Sequence, residues 1–261
     1  MSKEIYAPVD GTARKVTKVY VPVNGVARSV KKIYKGVNGI ARQVFETLDS
    51  SFGSNSWESI IAACQTGTVP DAWAVGDQMP ITIGGVQYMV DIIGKNHDNY
   101  ADGSGKAPLT FQLHDCYTTH YMMHNVEFNY WVNTDMRLIH LPALKALLPA
   151  EIQNALRKVN KSTTIGSKST SIKVSEEELF LLSEIEVYGS LTYSNPGEGE
   201  QYAYYKNGGS KTKYRGAYAS RWWTRSPVKS SYTPMVMVSE QGAASEYFTD
   251  IVGGVAFAFC F

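Results

Sequence analysis

Five histidines are the side chains in this chain best suited to metal or acid–base chemistry. His120 and His124 are four residues apart, a spacing that would place both on one face of a helix. A metal site needs three or four converging ligands, and the sequence has no His-Glu-x-x-His pattern. We therefore expect structural or surface histidines and no bound metal. The five are His97, His114, His120, His124 and His140.

Two groups of acidic residues could support calcium binding or glycoside hydrolysis. The polar loop at 98–103 has calcium-ligand residue types, but it lacks EF-hand spacing and a terminal Glu. Glu184 and Glu186 would share one face of a strand, whereas a glycosidase pair normally comes from separate strands. We expect solvated or ion-paired structural acids in both places. The loop residues concerned are Asp98, Asn99, Asp102 and Gly103.

The sequence gives no motif for nucleophilic or nucleotide chemistry. It has no GxSxG, Walker or GxGxxG pattern. Cys64, Cys116 and Cys260 are scattered, without a CxxC pair, so we expect reduced and at least partly buried thiols. The prediction is a protein that is not an enzyme and has no cofactor. A carbohydrate-active or metal-dependent enzyme using His97, Asp98, His114 or the Glu184–Glu186 pair remains the alternative.

The charge of the chain is small in total and uneven in distribution. A net charge of +1 gives no reason to expect nucleic-acid binding or attraction to a membrane surface. Residues 1–46 carry nine Lys/Arg and three Asp/Glu, so the remaining 215 residues carry 16 against 21. No apolar signal segment and no run of ~18 apolar residues is present. We expect synthesis in a bacterial cytoplasm, no signal peptide and no membrane insertion.

A threefold repeat with a 14-residue period occupies residues 1–46. Asp10-Gly11, Asn24-Gly25 and Asn38-Gly39 each suit the tight turn of a β-hairpin. A two-residue turn at Asn24-Gly25 would pair Val23 with Val26 and Val19 with Val30. Lone hairpins are marginal, so we expect a module for attachment or self-association. A small independent β-domain is the alternative. The matching columns begin with Tyr6, Tyr20 and Tyr34.

The rest of the chain reads as a linker at 47–55 and a mixed α/β domain at 56–261. Ser56 caps a predicted helix that stops at Gly67. Gly84-Gly85 joins two strands of a hairpin, and a further strand is expected at 109–113. Helices are predicted between 133 and 160, then a Ser/Thr/Lys loop at 162–171. A strand from 179 is expected to continue to 189, before a long loop at 195–214.

The segment 219–261 has two stiff ends and a chemically mixed middle. It begins with RWWTRSP and ends with GGVAFAFCF, an alternating strand with one bulky and one small face. We expect these ends to belong to the core and the middle to be free to vary, as functional loops on a rigid scaffold are. The predicted scaffold residues are Trp222, Trp223, Arg225, Phe257 and Phe259.

The order of motifs resembles the C-type-lectin-fold variable proteins of diversity-generating retroelements. WWTRSP and GGVAFAFCF carry the resemblance most specifically, together with LTFQLHD at 109 and WVNTDMRL at 131. Phage tail receptor-binding proteins and gut bacterial lectin-like domains are the best-known kinds. The resemblance covers residues 56–261. It implies an α+β fold with two helices, a twisted, mainly antiparallel sheet and long loops.

The resemblance also implies a diversifiable ligand surface between the two motifs. The candidate residues are Lys229, Ser230, Ser231, Tyr232, Met237, Glu240, Gln241, Ser245, Glu246, Tyr247, Phe248 and Asp250. The implied partner is a host cell-surface protein or glycan, and residues 1–46 would contact virion tail components or other copies. The expected location is the tail fibre of a bacteriophage virion. A structural virion or surface protein without diversification is the alternative within this class.

Overall fold

The computed structural model describes residues 6–9, 12–15, 19–23, 26–30, 32–37, 40–46 and 48–261. The architecture is mixed α/β, with many short strands and few helices, and is compatible with the predicted α+β class. The chain divides into two compact units, residues 1–73 and 74–261. In the described part of the chain, no helix is long and apolar enough to cross a membrane.

The strands of the first unit form three separate two-stranded antiparallel hairpins. In the second hairpin Val23 pairs with Val26 and Val19 with Val30, the register expected from the repeat. The three predicted turn dipeptides lie outside the described residues. The attachment role of this region therefore stays a prediction. The strands are β1 (Tyr6–Val9), β2 (Thr12–Lys15), β3 (Val19–Val23), β4 (Val26–Val30), β5 (Lys32–Val37) and β6 (Ile40–Glu46).

The first unit also contains helix α1 (Trp57–Thr66), which begins and ends where the sequence predicts. The Ser56 hydroxyl accepts a hydrogen bond from the Ser59 amide, and Gly67 ends the helix with φ 66°, in the left-handed region that glycine tolerates best. Trp73 is fully buried and donates from its indole nitrogen to the Asp49 carbonyl at 2.9 Å.

The second unit is built on a five-stranded antiparallel sheet of order β13-β20-β9-β8-β7. A three-stranded antiparallel sheet, β16-β17-β18, carries the predicted ligand segment. Three two-stranded ribbons, β10–β19, β11–β12 and β14–β15, complete the strands. The bounds are β7 (Gln78–Ile83), β8 (Val86–Lys95), β9 (Leu109–Leu113), β10 (Tyr121–Met122), β11 (Val159–Thr164), β12 (Ile172–Glu177), β13 (Leu179–Phe180), β14 (Lys213–Arg215), β15 (Tyr218–Ser220), β16 (Trp222–Pro227), β17 (Met235–Val238), β18 (Ala244–Tyr247), β19 (Val252–Gly253) and β20 (Ala258–Cys260).

The predicted hairpin around Gly84-Gly85 is confirmed. Both glycines have positive φ, and Ile83 pairs with Val86 across a two-residue turn. The strand at 109–113 is confirmed as β9. Local turn chemistry and the apolar pattern were sufficient signals in this part of the chain.

The helices between 133 and 189 differ from the prediction. A π-helical turn, Met136–His140, leads directly into α2 (Leu141–Ala146), so Pro142 does not restart a separate helix. Helix α3 (Ala150–Ala155) is followed by β11, where the sequence predicted further helix and then a loop. Helix α4 (Glu184–Tyr188) replaces the predicted strand, and α5 (Ala203–Lys206) lies in the predicted long loop.

The C-terminal residues lie in the centre of the core. Residues 253–261 are all buried, so both the bulky and the small side chains of the predicted strand face protein. Strand β20 is hydrogen-bonded between β13 and β9, and the Phe259 ring stacks on Phe111 at 5.3 Å. Burial on both faces makes this strand a fixed element of the fold.

Candidate functional site

The predicted ligand segment folds as a hairpin between two buried flanks. Strand β16 and Val228 are entirely buried, and so are residues 234–239. The remaining edge of β16 is also covered, because the Trp223 amide donates to the Gly254 carbonyl and the Arg225 amide donates to the Leu182 carbonyl. All five predicted scaffold residues are fully buried.

Eleven of the twelve candidate ligand residues are exposed or half-buried. Met237 is the exception: it is completely buried in the middle strand β17 and does not belong to the surface. Met237 pairs with Trp223 on one side and Ser245 on the other. The β10–β19 ribbon lies against the same face, because a Cβ on Gly253 would collide with the Met237 methyl group and the Trp223 indole. Met235, Val236 and Val238 are buried as well.

The exposed candidates fall into three places around the hairpin. Lys229, Ser230, Ser231 and Tyr232 lie in the loop between β16 and β17. Glu240 and Gln241 lie in the turn at the opposite end of β17. In that turn, the Ser239 hydroxyl accepts from the amides of residues 241 and 243 at 3.3 and 3.1 Å. The last group lies on the edge strand β18 and in the loop after it: Ser245, Glu246, Tyr247, Phe248 and Asp250.

One segment, residues 126–129, joins two of these places. The Asn129 side-chain amide donates to the Ser231 carbonyl at 3.1 Å, in the loop before β17. The neighbouring Phe128 amide donates to the Thr249 hydroxyl at 2.8 Å, and that hydroxyl donates to the Val126 carbonyl at 2.9 Å. The loops at 229–232 and 248–250 therefore both contact the segment 126–129.

Three exposed apolar residues that the sequence analysis missed, Met122, Val126 and Val252, lie in the segments that carry or adjoin the candidate Phe248. Met122 and Val252 are directly opposite each other in the β10–β19 ribbon, and each exposes 40–48% of its area. Val126 and Phe248 adjoin Thr249 and expose 56% and 52%. Neighbouring exposed apolar side chains are typical of interaction sites. No local pattern marks them as a group, because they come from two segments, 122–126 and 248–252, that are far apart in the chain. We call these four residues the apolar patch.

A cation and an aromatic ring meet at Tyr247, the last residue of β18. The Arg221 guanidinium carbon lies 4.9 Å from the centre of the Tyr247 ring, within the range of a cation–π contact. Glu240 approaches Arg221 with an oxygen–nitrogen distance of 4.0 Å, at the limit of an ion pair. Both Glu240 and Tyr247 are candidate residues, so Arg221 adjoins the candidate surface.

A buried ionic network contains Glu186, one of the two acids of the alternative enzyme hypothesis. Two guanidinium nitrogens of Arg225 donate hydrogen bonds to the Glu186 carboxylate, at 2.6 and 2.9 Å. Lys161 also contacts Glu186 at 2.8 Å and Asp98 at 2.6 Å. Burial raises the pKa of Glu186, but Arg225 and Lys161 outweigh it and lower that pKa to about 2. A fully ionised, doubly paired carboxylate suits a structural role.

The carboxylate of Glu184, the other acid of that pair, is hydrogen-bonded mainly to backbone amides. It accepts from the amides of Thr192, Tyr193 and Ser194, at 2.6 to 3.1 Å, and from the Ser194 hydroxyl. Glu184 and Glu186 lie on α4 and not on a strand. The missed signal was the capping box: Ser183 and Glu186 satisfy each other's backbone amides.

The calcium hypothesis for residues 98–103 is also unsupported by the geometry. Asp98 is buried, where it contacts Lys161 and accepts from the Tyr202 hydroxyl and the Thr110 hydroxyl. Asp102 lies at the surface and pairs with Arg157. The acids of this loop therefore point to separate partners.

Each of the five histidines has its own neighbour. His114 contacts Asp91 at 2.9 Å, His124 contacts Asp135 at 3.0 Å, and His120 contacts the Ser220 hydroxyl at 3.0 Å. His97 stacks on Tyr202 and His140 on Tyr121. His120 and His124 do not share a helix, because β10 runs between them. Among the described residues, no three His, Cys, Asp or Glu side chains are grouped to hold a metal ion.

All three cysteines are buried thiols that form no disulfide, as expected. Burial raises the pKa of the Cys64 and Cys116 thiols to about 12. A thiol with such a pKa is protonated at neutral pH and is a poor nucleophile.

Comparison with known proteins places most of the second unit in a family. Residues 112–260, more than half of the chain, match the family described as "Domain of unknown function (DUF6273)". The chain therefore belongs to the DUF6273 family. The match runs from the middle of β9 to the end of β20 and includes the whole candidate surface. No curated protein and no solved structure matched the chain.

Proposed function

We propose that this chain is a ligand-binding protein that displays a sequence-tolerant recognition surface on a C-type lectin fold. The surface comprises the exposed candidate residues of 229–232 and 240–250, together with the apolar patch. The chain acts by adhesion and not by catalysis. Its ligand is a protein or glycan on a host cell surface.

One observation carries this proposal: exposed and buried positions are sharply separated along residues 222–261. The buried blocks 222–228, 234–239 and 253–261 alternate with exposed loops and one edge strand. Exposed substitutions usually change stability by less than ~0.5 kcal/mol, whereas core substitutions cost several times more. The loops can therefore change sequence while the fold persists, which is how antibody-like paratopes are organised.

The exposed set also has a composition suited to recognition. Tyr232, Tyr247 and Phe248 supply large contact areas with few rotatable bonds. The serines, Gln241 and the charged residues supply adaptable hydrogen bonds beside them. The apolar patch adds a contact area that would gain from burial by a partner.

The particular class we propose is that of the variable proteins of diversity-generating retroelements. Support comes from the motifs WWTRSP and GGVAFAFCF, which flank the exposed loops. In this proposal the protein is part of a phage tail fibre, and residues 1–46 attach it to tail components or to other copies. A structural virion or surface protein of fixed sequence is the competing proposal.

The DNA around the coding sequence tests diversification. We expect a second, non-coding repeat of the codons for 221–261 that differs at adenines, beside a reverse-transcriptase gene. The differences should fall in codons for exposed candidates and avoid those for Trp222, Trp223 and Phe259. A locus without such a repeat would refute diversification and favour a surface of fixed sequence.

Cell binding tests recognition directly. The labelled full chain should bind cells of at least one strain in a panel of bacteria, measured by flow cytometry. Phe248→Ser and Tyr247→Ser should each reduce binding at least ~5-fold, because each removes contact area from the surface. Val174→Ser, at an exposed apolar residue of β12, is the matched control and should bind normally. Equal loss in all three variants would contradict the proposal.

A further inference from the structure

A long acid-free stretch of the chain contributes a basic surface beside the proposed recognition surface. Between Glu200 and Glu240, residues 201–239 contain seven Lys/Arg and no Asp or Glu. Two of the seven, Lys213 and Arg225, are buried. The other five reach solvent, so one sign of charge dominates this stretch at the surface. They are Lys206, Lys211, Arg215, Arg221 and Lys229.

The β14–β15 hairpin projects two aromatic rings and one of these cations into solvent. Tyr218 is 80% exposed and Tyr214 is 45% exposed. Arg215 is directly opposite Tyr218, next to the turn at Gly216, where φ is 60°. Residues that lie opposite each other in an antiparallel pair project from the same face. Arg215 and Tyr218 therefore present a guanidinium and a phenol side by side.

Hydrogen bonds at the base of this hairpin fix the position of its tip. The buried Lys213 ammonium donates to the carbonyls of Leu113 and His114 at 2.6 and 2.8 Å. The Tyr214 amide donates to the Asp115 carboxylate at 2.8 Å. Exposed aromatic side chains on a fixed support lose little conformational entropy when they bind a ligand.

Three cationic or potentially cationic groups converge next to the hairpin. His120 contacts the Ser220 hydroxyl at 3.0 Å, and Arg221 follows Ser220 in the chain. Ser220 is two residues from Tyr218 on β15, so its side chain projects from the same face as Arg215 and Tyr218. Burial lowers the pKa of His120, and the charges of Arg215 and Arg221 lower it further. Glu240 only reaches 4.0 Å from Arg221, and Arg215 has no ion pair in the described part of the chain. Both guanidiniums thus retain hydrogen-bonding capacity for a ligand.

We propose that Arg215, Arg221 and Tyr218 form a second binding site, which holds the anionic groups of an acidic polysaccharide. The planar guanidinium groups bind carboxylate or sulfate oxygens in pairs. The exposed Tyr218 ring packs against the apolar face of a sugar ring between those groups. Sugar polymers supply both features at every repeat, and a polymer can engage Arg215 and Arg221 together.

This site adjoins the recognition surface at Tyr247 but does not rest on the proposed function. Its own residues are Arg215, Arg221 and Tyr218, none of which is among the candidate variable positions. Polymer binding at this site can be absent while the recognition surface still binds cells, and cell binding can be absent while this site still binds polymers. The tests of the two use different residues and different probes.

The experiment measures binding of the full chain to immobilised polymers by biolayer interferometry at ~50 mM salt. Polygalacturonate and dextran sulfate are the two anionic probes, and unsubstituted dextran is the neutral one. We expect binding to at least one anionic polymer and none to dextran; the stronger of the two identifies carboxylate or sulfate as the preferred group. Added salt should weaken binding, because the contacts are between exposed charges.

Matched variants distinguish a built site from general attraction. The double variant Arg215→Ser with Arg221→Ser should lose at least ~10-fold in affinity, which corresponds to ~1.4 kcal/mol. Lys206→Ser with Lys229→Ser removes the same charge from the same stretch and should change affinity less than ~2-fold. Tyr218→Ser should weaken binding ~3-fold or more without any change of charge. If the double arginine variant does not fold, Arg215→Ser and Tyr218→Ser, both at exposed residues, decide the question.

Several outcomes would overturn the proposal. Binding to neither anionic polymer would do so. Equal loss in the arginine and lysine double variants would show attraction to charge alone. Tighter binding of polyglutamate than of either polysaccharide, with no effect of Tyr218→Ser, would identify an acidic protein as the partner in place of a glycan.

Discussion

The two outer strands of the three-stranded candidate sheet differ in their relation to the core. Strand β16 is buried along its whole length and contains Arg225, which pairs with Glu186. Strand β18 is an edge strand with half-buried and exposed residues, and the loop after it carries exposed Phe248. Both belong to one three-stranded sheet. The fold therefore keeps a fixed, buried side and an exposed side within ~10 Å of each other, about two strand spacings.

The fixed side depends on ionic pairing as well as on apolar packing. Arg225, Glu186, Lys161 and Asp98 come from four separate segments and are all nearly inaccessible to solvent. Removing one partner from such a network leaves an uncompensated buried charge. The stability of the exposed side does not depend on ion pairing in this way, because its side chains keep contact with water. The predictions below test this contrast, from the largest expected effect to the smallest.

Glu186→Gln should be the most destabilising change. It leaves Arg225 and Lys161 without their shared carboxylate, and loss of one partner of a buried pair costs ~3–5 kcal/mol. Urea denaturation of the full chain measures the difference in free energy of unfolding. Glu178→Gln is the matched control: its partner Lys145 is at a partly exposed site, where such pairs contribute ~0–1 kcal/mol. Similar losses in both variants would contradict the contrast.

The same carboxylate makes stability depend on acidity. The pKa of Glu186 is about 2 in the folded protein and near ~4.3 in an unfolded chain, so its contribution is complete above the unfolded pKa. It is lost as pH falls from ~5 to ~2, and amounts to about 3 kcal/mol. The stability gap between wild type and Glu186→Gln should therefore shrink between pH 6 and pH 3, as measured in urea. A gap that stays constant would refute the role of ionisation.

Gly254→Ala should cost ~1–3 kcal/mol, the usual range for overpacking a core. A Cβ at Gly254 would lie 2.6 Å from the Cys116 sulfur and 2.8 Å from the Arg221 carbonyl oxygen. That carbonyl also accepts the Gly254 amide, so neither backbone can retreat without weakening the bond. Thermal unfolding compares this variant with Ala217→Ser, which adds an atom at an exposed position. A melting temperature equal to that of wild type would contradict the close approach of Gly254 to Cys116 and Arg221.

Substitutions in the apolar patch should change the free energy of unfolding least. Val252→Ser and Phe248→Ser should each change the free energy of unfolding by less than ~0.5 kcal/mol, because both side chains are about half exposed. Met237→Ser, at a fully buried position in β17, should cost several kcal/mol. Urea denaturation of the three variants gives the comparison. A loss above ~2 kcal/mol in Val252→Ser would assign the patch to the core.

Sequence reasoning succeeded where a structure is specified by neighbouring residues. Ser56 and Gly67 bound α1, and Gly84-Gly85 fixes the turn between β7 and β8, because caps and tight turns depend on a few adjacent residues. The burial of Trp222 and Phe259 followed from size and pattern. The capping box at Ser183 and Glu186 was available in the sequence but was overlooked in favour of a continued strand.

Other features had no local signal. Met237 was a candidate surface residue although it lies in the apolar run 235–238, and the β10–β19 ribbon covers its face. Val159 was assigned to a helix by its spacing from Ile152, and pairing with Glu177 placed it in a strand instead. In both cases a distant segment decided the outcome, because burial and strand pairing depend on partners far away in the chain.

The sequence by itself determined the repeat, the main turns, the identity of the scaffold residues and most of the exposed candidates. Only the tertiary structure decided that Glu186 pairs with Arg225, that Met237 is covered, and that Met122 and Val126 join Phe248 at one surface. The physical reason is range. Backbone turns and caps are governed by contacts within a few residues, whereas ion pairs, buried faces and surface patches are made by segments up to 100 residues or more apart, as the Asn129–Ser231 and Phe128–Thr249 hydrogen bonds are.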